Sequence, residues 1–237
     1  LHKEYRRQRQ MCIRDRLKTD PAVINELPEK YEQIITVKMT PEQAALYQSY
    51  VNDVQRKLEE QKMGGIQYRG IVLASLTRIK QICNHPAHFL DDGSEMTHRG
   101  KHRSGKVAKL MEIVNAAMLS NRRVLIFTQY RAFGTMLQKY LAERTGTDIP
   151  FLHGGVPQKK RTEMVAEFQS EGGPPIFILS LKAGGTGLNL TAATEVVHMD
   201  RWWNPAVENQ ATDRAYRIGQ NSDVHVYKMV AAGTLEE

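Results

Sequence analysis

From Lys106 onward, short and almost wholly apolar runs alternate with amphipathic stretches of helical period, and this alternation restricts the fold more than any other feature. VLIF (Val124–Phe127) and IFIL (Ile176–Leu179) hold no polar residue to turn toward water. Such runs suit strands buried on both sides, as when helices cover both faces of a parallel sheet. Leu110, Ile113, Val114 and Ala117 recur at helical spacing, as do Phe133, Met136, Leu137, Tyr140 and Leu141. The pattern predicts helix 106–119, strand 124–128, helix 131–142, strand 149–152, helix 158–169, strands 176–180 and 196–200, helix 206–217 and strand 224–230. The fold class is therefore α/β, an open, mostly parallel sheet flanked by helices. Ligands of such sheets gather beyond the carboxyl ends of the strands, where the polar and glycine-rich motifs of this chain fall.

The first hundred residues read differently. One strand (Gln33–Lys38) leads into MTPEQ, where Thr40 can cap a helix and Pro41 can occupy its first turn. That helix should run to Lys62, with glycines 64, 65 and 70 interrupting before a second helix from Ile71 to Cys83, which NHP stops at Pro86. The polar stretch Asp91–Arg103 reads as a loop and a boundary. Three units result: a linker over 1–30, a strand with a smaller helical protrusion over 31–103, and the sheet domain over 104–237. Met11–Arg16, MCIRDR, resembles the translation of a common sequencing adapter, which sets residues 1–16 apart as of doubtful native origin.

Composition excludes several classes. With 41% hydrophobic and 25% charged residues the chain is ordinary for a folded domain, so disorder is not expected. No apolar run approaches the roughly 18 residues of a membrane span, and no signal-peptide pattern opens the chain, so a cytoplasmic protein without a membrane partner is expected. A net charge of +7 and a pI near 9.4 favour a polyanionic partner. Cys12 and Cys83 are too few and too far apart for a disulfide framework, which fits a reducing compartment.

Four motifs carry candidate chemistry. Thr128, Gln129 and Tyr130 end a buried strand with hydrogen-bonding groups, and LHGG places His153 and Gly154 at the end of the next. KAGGTGLNL follows Ser180, and its glycines allow free backbone N–H groups to approach a phosphate closely. In DRWWNPAVENQATDRAYRIGQ, Arg214 and Arg217 fall three residues apart on one face of the expected helix, a spacing suited to clamping a phosphate. Such an arginine is worth roughly 10³ to 10⁵ in rate in nucleotide hydrolases. A solvated helix face would carry the same charges. Asp200, Glu208 and Gln210 complete a polar rim, with Gln210 placed to orient Arg214. Trp202 and Trp203, the only tryptophans, suit one packed ring and one exposed ring.

Other patterns are discounted. GKHRSGKV (Gly100–Val107) resembles a phosphate loop, but Val107 occupies the position of the metal-binding hydroxyl and no strand precedes it; Ser104 as a helix start explains it better. Cys83, His85 and His88 lack a fourth ligand at matching spacing, so no metal site is expected. Lys159–Arg161 reads as a solvated face, with Arg161 set apart because it opens the helix after LHGG.

In their order and spacing these motifs, from about Leu17 to the last residue, resemble the second RecA-like lobe of Swi/Snf-type ATPases, helicase-like DNA translocases of superfamily two. The resemblance implies a RecA-like fold. It implies that Arg214 and Arg217 act as arginine fingers, with Gly187, Asn189 and Gln210 near the nucleotide and Asn189 close to its ribose. It places Thr128, Gln129, Tyr130, His153, Gly154, Arg161, Ser180, Lys182, Thr186 and Trp203 along double-stranded DNA. ATP is the implied cofactor, with Mg²⁺ held by an N-terminal RecA-like lobe that would precede residue 1. The resemblance implies tracking along duplex DNA without unwinding it, in the nucleoid of a bacterium or the nucleus of a eukaryote, and leaves open whether the substrate acted upon is a DNA-bound protein, an RNA polymerase or a nucleosome-like particle. The chain would then be the C-terminal half of a translocase or remodeller, inactive by itself and stopping inside the closing element of the lobe. A non-catalytic nucleic-acid-binding module of the same fold is the alternative, and an independent phosphotransferase using Gly100–Val107 ranks last.

Overall fold

Each apolar run becomes a strand whose alternate side chains enter opposite layers. The computed structural model describes residues 27–60, 66–180 and 187–237. Its elements are β1 (Lys30–Val37), α1 (Pro41–Glu60), α2 (Ile66–Asn84), α3 (Pro86–Leu90), β2 (Thr97–His98), β3 (Lys101–His102), α4 (Gly105–Leu119), β4 (Arg123–Thr128), α5 (Arg131–Thr145), β5 (Phe151–Leu152), α6 (Gln158–Gln169), β6 (Ile176–Ser180), β7 (Ala193–His198), α7 (Pro205–Thr212) and β8 (Val224–Ala231). Six strands pair in parallel in the spatial order β1, β8, β7, β4, β6, β5. Val124, Ile126, Ile176 and Ile178 face one layer, where Val107, Leu110, Val114, Phe133, Leu137 and Leu141 of α4 and α5 cover them. Leu125, Phe127, Phe177 and Leu179 face the other, against Met164 and Phe168 of α6 and Ala211 and Ala215 around α7. Period two in the strands and a 3.6-residue period in the helices thus build a core on each side of the sheet.

The strand expected within a separate 31–103 unit instead forms an edge of this sheet. Lys30–Val37 pairs with Val224–Ala231 along its full length, which satisfies backbone groups that β8 would otherwise leave open. A boundary at 103/104 also cuts through close contacts, since Ser104 Oγ donates to Asn84 O, Gly105 N donates to Gln43 Oε1 and Gly105 packs on the Lys38 carbonyl. The expected strand 149–152 shortens to Phe151–Leu152, because Pro150 has no N–H to donate; its carbonyl still accepts from Ile178 N at 3.0 Å. β7 starts three residues early and ends two early, with a bulge opposite Arg123 and Val124.

The helical part follows from local chemistry. Thr40 and Gln43 form a reciprocal capping box: Gln43 N donates to Thr40 Oγ1 and Thr40 N to Gln43 Oε1, each at 3.2 Å. Gln43 Nε2 also donates to the carbonyls of Ile82 and Cys83, so α1 caps the end of α2. Gly70, expected from the sequence to interrupt the helices, instead lies inside α2, which starts at Ile66 and not at Ile71. A glycine costs a helix about 1 kcal/mol, less than the burial of Ile79, Ile82 and Cys83 along the same helix returns. Asp91–Arg103 holds the ribbon β2–β3, turned by Arg99 and Gly100 at φ of 49° and 75°.

Candidate functional site

Asn204 caps α7 by accepting from Ala206 N, and Pro205 occupies the first turn. The helix ends at Thr212, not at 217, so Arg214 and Arg217 do not share one helical face. They lie in consecutive turns, held by Tyr216 N to Thr212 O at 3.1 Å and Gln220 N to Arg217 O at 2.9 Å. Gln220 supplies the physical reason. Its buried amide donates to the carbonyls of Thr191, Ala193 and Ala215 at 3.0–3.1 Å, while its Oε1 accepts from Asn221 N and Ser222 N. The chain is thereby folded back toward β8, and Gly219 takes up the reversal at φ 98°.

These turns bring both arginines to the end of the glycine-rich motif. Arg217 Nη1 donates to Leu188 O at 3.1 Å, and Leu190 N donates to Arg214 O at 2.9 Å. Gly187, at φ 110°, and Asn189 are exposed beside them. Arg214 is only 7% exposed. Burial, and then the charge of Arg217, lower its guanidinium to about 10. Gln210 is exposed on α7. Lys182, Thr186 and glycines 184 and 185 lie outside the described residues.

At the carboxyl ends of β4 and β6, Thr128 pairs in register with Ser180, and both are buried. Thr128 Oγ1 donates to Asp200 Oδ2 at 2.7 Å, and Gln129 N donates to the same oxygen at 2.6 Å. Gln129 Nε2 reaches Arg201 O at 2.9 Å. Thr128 therefore faces inward and orders the loop, whereas Gln129 and Tyr130 stand half-buried at the rim. Tyr130 lies edge-on to His88 with its hydroxyl toward Thr77 O, and burial raises the pKa of that hydroxyl well above its usual value, so it stays protonated.

The LHGG loop is built around Arg161. Its guanidinium donates to Val156 O at 2.7 Å and Gly154 O at 3.0 Å, and so shapes the loop from beneath. His153 is half-buried and Gly154 exposed. Burial and the charges of Arg131 and Arg161 hold the His153 imidazole below its usual pKa. Of the tryptophans, Trp202 packs against the second core and Trp203 is 65% exposed, with Lys80 Nζ 4.0 Å above its ring. Glu208 Oε1 accepts from Trp202 N and Arg201 Nε, both at 2.8 Å, and holds this turn.

The discounted patterns have structural uses. Ser104 caps α4 by accepting from Val107 N. Lys106 is fully buried against Glu236. His85 caps α3, His88 stacks on Phe133, and burial pushes the Cys83 thiol up to about 12. Among the described residues no group of three His, Cys, Asp or Glu side chains could hold a metal ion. Lys159 and Lys160 are exposed. No described helix is long and apolar enough to cross a membrane. Sequence reasoning missed Asn84, Lys106, Gln220 and Glu236, which support the rim from behind. A signal existed for Lys106, which shares the apolar stripe of Leu110, Ile113 and Ala117.

The six-stranded parallel sheet with helices on both faces is the architecture shared with solved RecA-like SWI2/SNF2 ATPase lobes, which places the chain in the class of helicase C-terminal domains. Residues 105–219 match the helicase conserved C-terminal domain, and residues 2–88 the SNF2-related domain. A solved Sulfolobus solfataricus SWI2/SNF2 ATPase C-terminal domain is 37% identical with a TM-score of 0.73, covering 88% of this chain and 82% of that one. The SWI2/SNF2 ATPase core of the same organism, solved in complex with dsDNA, is 41% identical with a TM-score of 0.77, covering 92% of this chain and 44% of that one. The YwqA protein of Bacillus subtilis (strain 168), whose name carries the words ATP-dependent helicase/translocase, is 47% identical over 222 residues, 94% of this chain and 24% of its own length. The chain belongs to the SWI2/SNF2 family of helicase superfamily two, as a C-terminal RecA-like lobe. It spans about a quarter of YwqA and 15% of the human DNA excision repair protein ERCC-6, to which it is 32% identical.

Proposed function

We propose that this chain is the second lobe of an ATP-driven translocase or remodeller acting on double-stranded DNA. Arg214 and Arg217 would face a triphosphate held by an N-terminal lobe, with Gly187, Asn189 and Gln210 beside the nucleotide, and Mg²⁺ would be liganded by that other lobe. Gln129, Tyr130, His153, Gly154, Ser180, Lys182, Thr186 and Trp203 would follow the DNA backbone, with Thr128 and Arg161 shaping their loops. The observation that carries this reading is the packing of both arginines on the Leu188–Leu190 segment. Two close guanidiniums raise the cost of each other's charge, and an anionic ligand relieves it. ATP would supply the free energy, and closure of the two lobes would complete the site, which couples hydrolysis to movement along DNA.

Alone, the chain should bind duplex DNA with an affinity that falls steeply as salt rises, and turn over ATP negligibly. Joined to a family N-terminal lobe it should become a DNA-stimulated ATPase. Arg214→Ala or Arg217→Ala should then cut turnover by roughly 10³ or more while leaving duplex affinity nearly unchanged. Undiminished turnover in both variants, or robust turnover by the chain alone, would overturn the reading.

A further inference from the structure

Lys106 belongs to a network that the proposed chemistry does not use. Its side chain and that of Glu236 are both fully buried, with Nζ 2.7 Å from Glu236 Oε2 and 2.9 Å from Oε1. Charges are buried at this depth only when every lone pair and proton finds a partner. Glu236 Oε2 also accepts from Ala231 N at 3.0 Å, which ties the turn after β8 to the strand. The remaining protons of Lys106 go to Met199 O at 2.8 Å and Asn84 Oδ1 at 3.2 Å.

From there the network runs straight to the rim. Asn84 Nδ2 donates to Asp200 Oδ1, and Asp200 Oδ2 takes Thr128 Oγ1 and Gln129 N. Next in the chain come Arg201, whose carbonyl Lys80 and Gln129 bind, and then the two tryptophans. A buried cation in the first turn of α4 therefore holds Met199 directly and Asp200 through Asn84, at the root of the loop that carries the exposed Trp203, and its counter-charge comes from the segment following β8.

We propose that Lys106 and Glu236 are positioning residues, a buried latch through which the segment after β8 sets the Asp200–Trp203 loop and its grip on DNA. The DNA-binding half of this inference rests on the function proposed above; the setting of the loop does not. Removing one charge strands the other, so single variants can fail to fold. The informative variant removes both charges, Lys106→Met with Glu236→Leu.

In a Trp202→Phe background Trp203 is the sole tryptophan, and its fluorescence anisotropy decay reports loop order on the nanosecond scale. The double variant should fold cooperatively by circular dichroism, yet show a new fast depolarising component at Trp203. Its affinity for a duplex oligonucleotide should fall about tenfold, the scale on which displaced supporting shells act. Lys139→Met, on the exposed face of α5, should change neither reading. A folded double variant with the parent's anisotropy decay overturns the latch. If the parent itself fails to bind duplex, the DNA reading falls, and the anisotropy decay still decides the latch.

Discussion

Gln220 fixes where two arginines stand without touching any proposed ligand. One amide serves three carbonyls and two backbone N–H groups, and so converts the chain after Thr212 into turns. Gln220→Leu keeps the volume and strands those carbonyls, which should cost about 1–3 kcal/mol. The urea midpoint should fall accordingly, and ATP turnover in a two-lobed protein should fall further than folding alone explains; an unchanged midpoint would show that water replaces the amide. The motif Gln210–Gln220 stands out as a candidate site from its residues. The structural role of its last residue is not legible there, since a glutamine at a sequence position does not declare which distant carbonyls it will meet.

At the scale of elements, most boundaries follow from local signals. α6 and β6 have the bounds their periodicity predicts, and α1 starts where Thr40, Pro41 and Gln43 dictate. The exceptions occur where another element intervenes. α7 is shorter than its pattern because the turns after it are bonded to the residues around Leu190 and β7. β1 looked like part of a helical unit because nothing near it in sequence names its partner, β8, nearly two hundred residues on. The junction between β1 and α4 is equally close. A Cβ at Gly105 would stand 2.1 Å from the Lys38 carbonyl oxygen, which is backbone and cannot swing aside. Gly105→Ala should therefore cost about 1–3 kcal/mol, read as a lowered thermal midpoint; a neutral substitution would mean that the β1–α1 corner shifts freely.

For the whole molecule, burying histidine rings makes stability depend on pH. Burial depresses His85, His88 and His198 to about 4, against the free value of 6.5. Each ring is neutral when folded and takes up a proton on unfolding below that free value. Their contribution is thus complete above about pH 6.5 and drains as pH falls toward 4, by roughly 3 kcal/mol at most for each ring. Urea unfolding between pH 7 and 4.5 should show a falling free energy whose slope approaches three protons; a flat profile would mean that the rings are charged in the fold. Phe127 stacked on His198 and Phe133 on His88 show why neutral rings are kept there.

The order of apolar runs, their periods and the motifs between them determined the sheet, its class and the location of the candidate rim, because strand and helix burial are written in local spacing. Only the tertiary structure decided that β1 closes the sheet beside β8, that Arg214 and Arg217 are set by turns and not by a helix face, and that Lys106 meets Glu236. Each of those depends on a contact between residues far apart in the chain, and a hydrogen bond or ion pair across such a distance leaves no period for the sequence to carry.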